Sequence, residues 1–263
     1  MGDGLPGHEF DFYAYVRDST WMGGRQEYSD LHESAPYWFN YIVPLAYGLN
    51  DARLKQQVEQ FVEYVISHQA DDGWIGSERG YEARDLWARF PLMLGLTQLV
   101  EADPRYVDSV IPAMHKFLNL MRSMLRDNYR GYTFWGQARS HDMIIVLQWM
   151  YENYPGNNTE VLFDNMRLLN EAAYDWSYYF REDVFPMQDL ETLPVDDSLG
   201  GFEHGVNLGQ ALKSGAVVRR FTHNDTLLES TRNGVNWTFL YHGSPSGAII
   251  GDERISGLSP MRG

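Results

Sequence analysis

The 263-residue chain contains no cysteine. This absence excludes disulfide bonds, a thiolate nucleophile and thiolate metal ligands from the chain itself. Basic residues are also few: 21 Lys and Arg stand against 36 Asp and Glu, a formal net charge of -15. Such a field repels polyphosphates and anionic lipid surfaces, so neither nucleic acid nor a membrane is an expected partner. The sequence has no apolar run long enough to cross a bilayer, and it lacks a phosphate-binding loop, a nucleophile elbow and an HExxH motif.

Aromatic residues, in contrast, are abundant, with 8 Trp and 17 Tyr. Large rings fill the core of a globular protein, and they also line carbohydrate clefts, where a flat ring stacks on the apolar face of a sugar. Composition alone leaves both interpretations open. Neutral ligands such as sugars are indifferent to the negative field.

Three N-glycosylation triplets begin at Asn157, Asn224 and Asn236, and they favour a secreted protein. The opening residues, MGDGLPGHEF, have neither a charged nor an apolar segment of the kind found in signal peptides. We therefore expect a secreted protein and no signal peptide in this chain.

Apolar residues recur at helical spacing from about residue 35 onward. This pattern predicts an all-α fold of four successive helical hairpins, which close into a toroid when six are present or stack into a solenoid. We expect residues 1–30 to form an N-terminal extension and residues 31–263 one helical domain; only residues 246–250 resemble a short strand. The predicted helices lie near residues 35–49, 51–66, 86–100, 106–125, 140–153, 159–180, 205–220 and 226–242.

Four motifs in this order resemble glycoside hydrolase family 127, the β-L-arabinofuranosidase-like enzymes, and most closely its fungal, domain-of-unknown-function branch. Together they extend from about residue 30 to the end of the chain. The first motif, residues 37–76, consists of an aromatic helix, a charged helix and a Gln-Ala-Asp-Asp-Gly-Trp turn. The other three are Ser140-His141-Asp142, His204-Gly205-Val206-Asn207 and Gly251-Asp252-Glu253.

The resemblance implies an (α/α)6 barrel of six hairpins and a cysteine nucleophile bound to zinc through further cysteines and a glutamate. This chain departs from that pattern, because it has about four predicted hairpins and no cysteine. We therefore expect a partial barrel that stops before the zinc motif, with no metal or cofactor of its own and no complete double displacement. Exposed apolar helix faces would then favour self-association.

The resemblance also assigns roles to individual residues. Glu253 matches the general acid/base, with Asp252 beside it, and a second carboxylate can raise the pKa of a proton donor. The alternative for Glu253 is a solvated surface loop. His141 and His204 each precede or open a predicted helix, where each can hydrogen-bond sugar hydroxyls or simply cap the helix.

The same two interpretations apply to the remaining candidates. Asp142 and Asn207 are predicted at helix N-termini, where they either interact with free amides or touch a ligand. Trp74 and Trp135 lie in predicted loops and are candidate stacking platforms for sugar rings, whereas the apolar neighbours of Trp38 favour a core position.

A compact acidic cluster precedes the first predicted helix. Two or more carboxylates around a histidine can bind a metal ion, but solvated acids in a capping region explain the cluster more simply, and we prefer that interpretation. The cluster consists of Glu27, Asp30, His32 and Glu33.

The leading hypothesis is a glycoside hydrolase-like domain that acts on L-arabinofuranosides or related glycans. One alternative is a carbohydrate-binding pseudoenzyme, which keeps the cleft without the chemistry. Another is an α/α-barrel epimerase or lyase with His141 and His204 as acid and base. A helical scaffold for protein partners would leave the loop motifs unexplained.

Overall fold

The computed structural model describes residues 8–78, 80–187 and 200–249. These residues are mostly helical and contain no β-strand, only isolated bridges between Ser19 and Gln26 and between Gly243 and Ile249. The prediction of an all-α fold is therefore confirmed. Among the described residues, no helix combines the length and apolarity needed to cross a membrane.

Several of the helices are joined by short turns, whereas residues 68–88 form a longer connection. They are α1 (His8–Arg17), α2 (Ser34–Gly48), α3 (Ala52–Ser67), α4 (Arg89–Ala102), α5 (Val107–Arg126), α6 (Phe134–Ala138), α7 (Ser140–Asn153), α8 (Thr159–Glu171), α9 (Trp176–Tyr179), α10 (Gly200–Glu203), α11 (Gly205–Ala211), α12 (Ser214–Thr222) and α13 (Thr226–His242). Short 3-10 turns cover Thr20–Met22, Tyr81–Ala83 and Pro104–Tyr106.

The long helices form where the apolar spacing is most regular. Helix α3 begins after Asp51, whose carboxylate accepts the amide of Leu54 at 3.0 Å and so satisfies a free donor of the first turn. Helix α5 buries an apolar stripe from Val110 to Leu125 and exposes its charged face. Local capping and amphipathicity account for both elements.

Several predicted boundaries differ from the structure. Helix α1 occupies part of the predicted extension, and α4 begins at Arg89 rather than at residue 86. The predicted helix at residues 159–180 is two helices, because Asp175 caps α9 by accepting the amides of Ser177 and Tyr178. The predicted helix at residues 205–220 is divided between α11 and α12 at Leu212 and Lys213.

The chain divides into two compact units. The first comprises residues 1–133 and 146–168, and the second comprises residues 134–145 and 169–263. In the first unit, α2 packs against both α3 and α4. The ring of Phe39 lies 4.9 Å from that of Phe61, and Gly95 of α4 lies directly against Phe39, where a Cβ atom would clash.

The second unit has an aromatic core. Phe202 stacks on Tyr179 with a ring separation of 5.0 Å, and α12 packs against α13. Gly234 of α13 lies against the ring of Phe180, and a Cβ atom at this position would clash with that ring. The buried core residues are Trp176, Tyr179, Phe180, Phe185, Leu208 and Ala211.

Candidate functional site

Arg139, between α6 and α7, is the centre of a buried polar cluster in the second unit. Its side chain is buried, its Nε donates to the amide oxygen of Asn207 at 2.7 Å, and its guanidinium lies 5.0 Å from the ring centroid of Trp135. The backbone carbonyl of Arg139 accepts the amide of Asp142 at 3.0 Å, which fixes the first turn of α7. We call these residues, with His141, His204 and Lys213, the Arg139 cluster.

His204 and Asn207 form the start of α11. Nδ1 of His204 accepts the backbone amide of Asn207 at 3.3 Å, so His204 is the N-cap of the helix. The side-chain amide of Asn207 also donates to the carbonyl of Gly201 at 2.9 Å. The imidazole meets the ring of Trp135 edge-on, with centroids 5.2 Å apart. Because Nδ1 accepts, a neutral His204 carries its proton on Nε2.

His141 and Asp142 lie on the first turn of α7 and are buried. Burial, reinforced by the positive charges of Lys213 and Arg139, holds the pKa of His141 well below its ordinary value. Neither ring nitrogen of His141 makes a hydrogen bond of good geometry with any residue that the structure describes, although the backbone of Gln210 interacts favourably with the charged form. His141 is therefore a neutral, under-satisfied imidazole rather than a proton donor at neutral pH.

Asp142 is paired with a cation. Nζ of Lys213 lies 2.6 Å from its carboxylate, and the lysine side chain is 42% exposed. Burial raises the pKa of Asp142, although Lys213 and Arg139 act in the opposite direction. The cluster thus combines a buried guanidinium, imidazole, amide and carboxylate with a half-buried Trp135, His204 and Lys213.

A cleft of about 390 Å³ lies in the same unit. Its walls include Ser140 and Ser214, the sequence neighbours of His141 and Lys213, but none of the residues of the Arg139 cluster itself. Trp176, also in the wall, donates from Nε1 to the carbonyl of Ala138 at 2.9 Å. Hydroxyl and amide groups beside aromatic rings are a typical lining for a small polar ligand.

No protein-family model, curated protein or solved structure matches the chain. The geometry and the sequence motifs are therefore the observations from which a function can be inferred. Of the eight candidate site residues, the structure gathers five in the Arg139 cluster: Trp135, His141, Asp142, His204 and Asn207.

The other three candidates lie elsewhere. Trp74 belongs to the first unit and is only 2% exposed, with guanidinium groups of Arg84 and Arg89 at 5.0 and 4.1 Å from its ring centroid. That environment leaves little ring surface for stacking against a sugar. Asp252 and Glu253 lie outside the described residues.

Sequence reasoning missed Arg139 and Lys213. Arg139 directly precedes the Ser-His-Asp motif. Because the chain is so acidic, a basic residue beside that motif could have indicated a site residue. Lys213 lay within a predicted continuous helix, and its position at the break between α11 and α12 gave no comparable signal.

The residues present do not fit the zinc site that the family resemblance implies. The chain has no cysteine, and within the described part no three potential metal ligands converge. In the acidic cluster before α2, Nδ1 of His32 lies 3.3 Å from Glu27, while Glu33 accepts a hydrogen bond from the indole of Trp87. These acids are paired with other side chains, and we derive no step through a metal.

Proposed function

We propose that the chain is a saccharide-binding domain of the glycoside hydrolase family 127 type, built from helical hairpins of the (α/α)6-barrel kind. The proposed ligand is an L-arabinofuranoside or a related neutral glycan, held against the half-buried Trp135 and His204 of the Arg139 cluster. The observation that carries the proposal is that buried Arg139 contacts Trp135 and Asn207, and that His204 contacts both of these residues in turn. Trp135 lies just before the Ser140-His141-Asp142 motif, and His204 and Asn207 belong to the motif more than sixty positions later.

The chemistry of the cluster supports recognition of hydroxyl groups. Arg139 and Asn207 hold each other, which fixes the half-buried Trp135 and His204 around them. Nε2 of a neutral His204 is a hydrogen-bond donor, and the Trp135 ring offers an apolar surface beside it. A sugar presents hydroxyls and an apolar ring face, so it matches this pair.

Hydrolysis is a further part of the proposal and depends on Glu253 as general acid/base, with Asp252 beside it. A glycosidase needs a second group on the opposite face of the sugar. His141 is neutral and buried, and the chain has no cysteine for the family's covalent step. These observations favour binding without turnover, the pseudoenzyme alternative, for the chain acting by itself.

The test separates binding from turnover. We expect calorimetry to show binding of L-arabinose or a methyl L-arabinofuranoside, and we expect no arabinose release from an aryl β-L-arabinofuranoside. His204→Asn keeps an N-cap residue but removes the imidazole, so it should weaken binding about tenfold. His223→Asn, at an exposed left-handed position after α12, is the matched control and should leave binding unchanged.

The outcomes are distinct. Measurable turnover that Glu253→Gln abolishes would establish a complete enzyme and contradict the pseudoenzyme form. Equal binding by wild type and His204→Asn would remove the Arg139 cluster from the proposal. Absence of any saccharide binding would overturn the proposed function.

A further inference from the structure

A second cleft, of about 710 Å³, lies within the first unit and shares no residue with the Arg139 cluster. Its walls come from the turn around Trp21, the C-terminal end of α3 and the loop that joins α3 to α4. We call it the Trp74 cleft. Its volume lies within the range of small-molecule sites.

Arg89 lies behind the wall of this cleft and supports the residues that line it. The side chain is fully buried, and it donates to two backbone carbonyls at 2.7 and 2.8 Å and to the carboxylate of Glu78. Its guanidinium also lies 4.8 Å from the ring centroid of Trp21 and 4.1 Å from that of Trp74. These contacts hold both indoles and Glu78 in one rigid arrangement before any ligand arrives.

Four polar atoms of the wall have no hydrogen-bond partner among the described residues. One is Nδ1 of His32, beside Glu27; the other three are Oε1 of Glu78, Nε1 of Trp74 and Nε of Arg84, which belong to side chains at least nine-tenths buried. Burial by itself would raise the pKa of Glu78, but the charge and hydrogen bond of Arg89 together lower it, so the carboxylate is ionised. In these buried side chains, one strong acceptor and two donors are thus left unsatisfied, which costs free energy.

Two arginines at the cleft that the structure describes are paired with carboxylates. Arg84 binds Asp72 at 2.6 Å, and Arg89 binds Glu78. At these arginine–carboxylate pairs, a charged ligand would lose its hydration without gaining a counter-ion. A neutral ligand with hydroxyl groups avoids that cost, because one hydroxyl can donate to a carboxylate and accept from an indole or guanidinium.

His32 supplies an accessible polar group of the same cleft. Its side chain is 27% exposed, and its ring lies 3.3 Å from Glu27. The backbone is left-handed, with φ of 54°, and its carbonyl accepts the indole N–H of Trp21 at 2.7 Å. A histidine held in this uncommon conformation at a cleft is consistent with a binding role.

We propose that the Trp74 cleft binds one ring of a neutral saccharide, with His32 and the unsatisfied groups of Glu78, Trp74 and Arg84 as hydrogen-bonding partners. This site is independent of the one at the Arg139 cluster. A neutral, hydroxyl-bearing ligand is inferred from the paired arginines and from the unsatisfied donor and acceptor atoms of the wall. The family resemblance plays no part in this inference.

The experiment uses the full chain labelled with ¹⁵N, in which the indole N–H signals are followed during titration with L-arabinose, D-glucose and D-glucuronate. Trp74→Phe identifies the Trp74 signal. We expect both neutral sugars to shift that signal and D-glucuronate, the anionic counterpart of D-glucose, to bind more weakly. His32→Asn, which suits a left-handed backbone but removes the imidazole, should weaken binding about tenfold.

The controls distinguish a contact from a folding defect. His223→Asn makes the same change at another left-handed histidine, φ 57°, and should bind as the wild type does. Trp74→Phe removes the unsatisfied donor together with part of the buried ring, so calorimetry should show weaker binding, and thermal unfolding measured beside it gives the stability that the smaller ring costs. Three results would each overturn the proposal: a Trp74 signal unmoved by saturating sugar, tighter binding of glucuronate than of glucose, or sugar binding lost in His204→Asn but kept in both His32→Asn and Trp74→Phe.

Discussion

The buried imidazole of His141 makes the stability of the second unit depend on pH in a defined direction. Burial, followed by the charges of Lys213 and Arg139, keeps the folded pKa of His141 well below its value in the unfolded chain. The unfolded state therefore binds more protons. The stability associated with this group is present above about pH 6.5 and is lost as the pH falls toward the folded pKa.

The magnitude follows from proton binding to the unfolded chain. At about pH 7.5 an ordinary histidine is almost wholly neutral, and the free energy of unfolding changes by less than about 0.1 kcal/mol. At about pH 5.5 it is mostly protonated in the unfolded chain alone, which lowers the unfolding free energy by about 1.4 kcal/mol. His141→Gln cannot titrate and should lack this difference.

The assay is urea unfolding of wild type and His141→Gln at both pH values. Peptide-level hydrogen exchange over α11 would identify the transition that belongs to the second unit. All other histidines are common to the two proteins, so their contributions cancel in the comparison. An identical pH dependence of the two proteins would refute the reasoning, because it would mean that His141 titrates normally in the folded state.

Three further changes test other parts of the structure. Asp142→Asn should gain stability relative to wild type between about pH 4 and pH 7 in urea titrations, because burial raises the pKa of Asp142 and its ionised form is the disfavoured one. Asn207→Leu removes the amide that Arg139 donates to and should cost about 2–3 kcal/mol of unfolding free energy; a cost near zero would show that this contact is incidental. Gly76→Ala should lower the melting temperature, because φ is 150° there and a Cβ atom would overlap a buried guanidinium. Gly48→Ala, with nothing within 4 Å, should leave it unchanged or raise it.

The local sequence pattern was sufficient to predict the long helices. In α3 and α5 the apolar spacing and the capping group lie within a few residues of one another, so the sequence predicted both elements closely. The break before α9 occurs because the side chain of Asp175 caps a new helical turn. The alternative conformation, in which the preceding helix simply continues, has the same local sequence pattern. Helical periodicity does not distinguish between those two outcomes.

The candidate site, too, was predicted from the sequence only in part. The two histidine motifs, around His141 and His204, were recognisable as helix starts, and the structure places them in one unit. Their link through Arg139 was not recognisable, because the two ends of that hydrogen bond are 68 residues apart. Trp74 lies in a loop, as predicted, but two arginines cover the ring that was expected to stack on a sugar.

The sequence by itself determined the helical class, the acidic surface charge and the residue types available for a site, since each depends on composition or on neighbours within two turns. Only the tertiary structure decided which charges are paired and which polar atoms stay buried without partners. The physical reason is that burial and pairing join side chains from distant segments. Their energies depend on distances in space that no local pattern encodes.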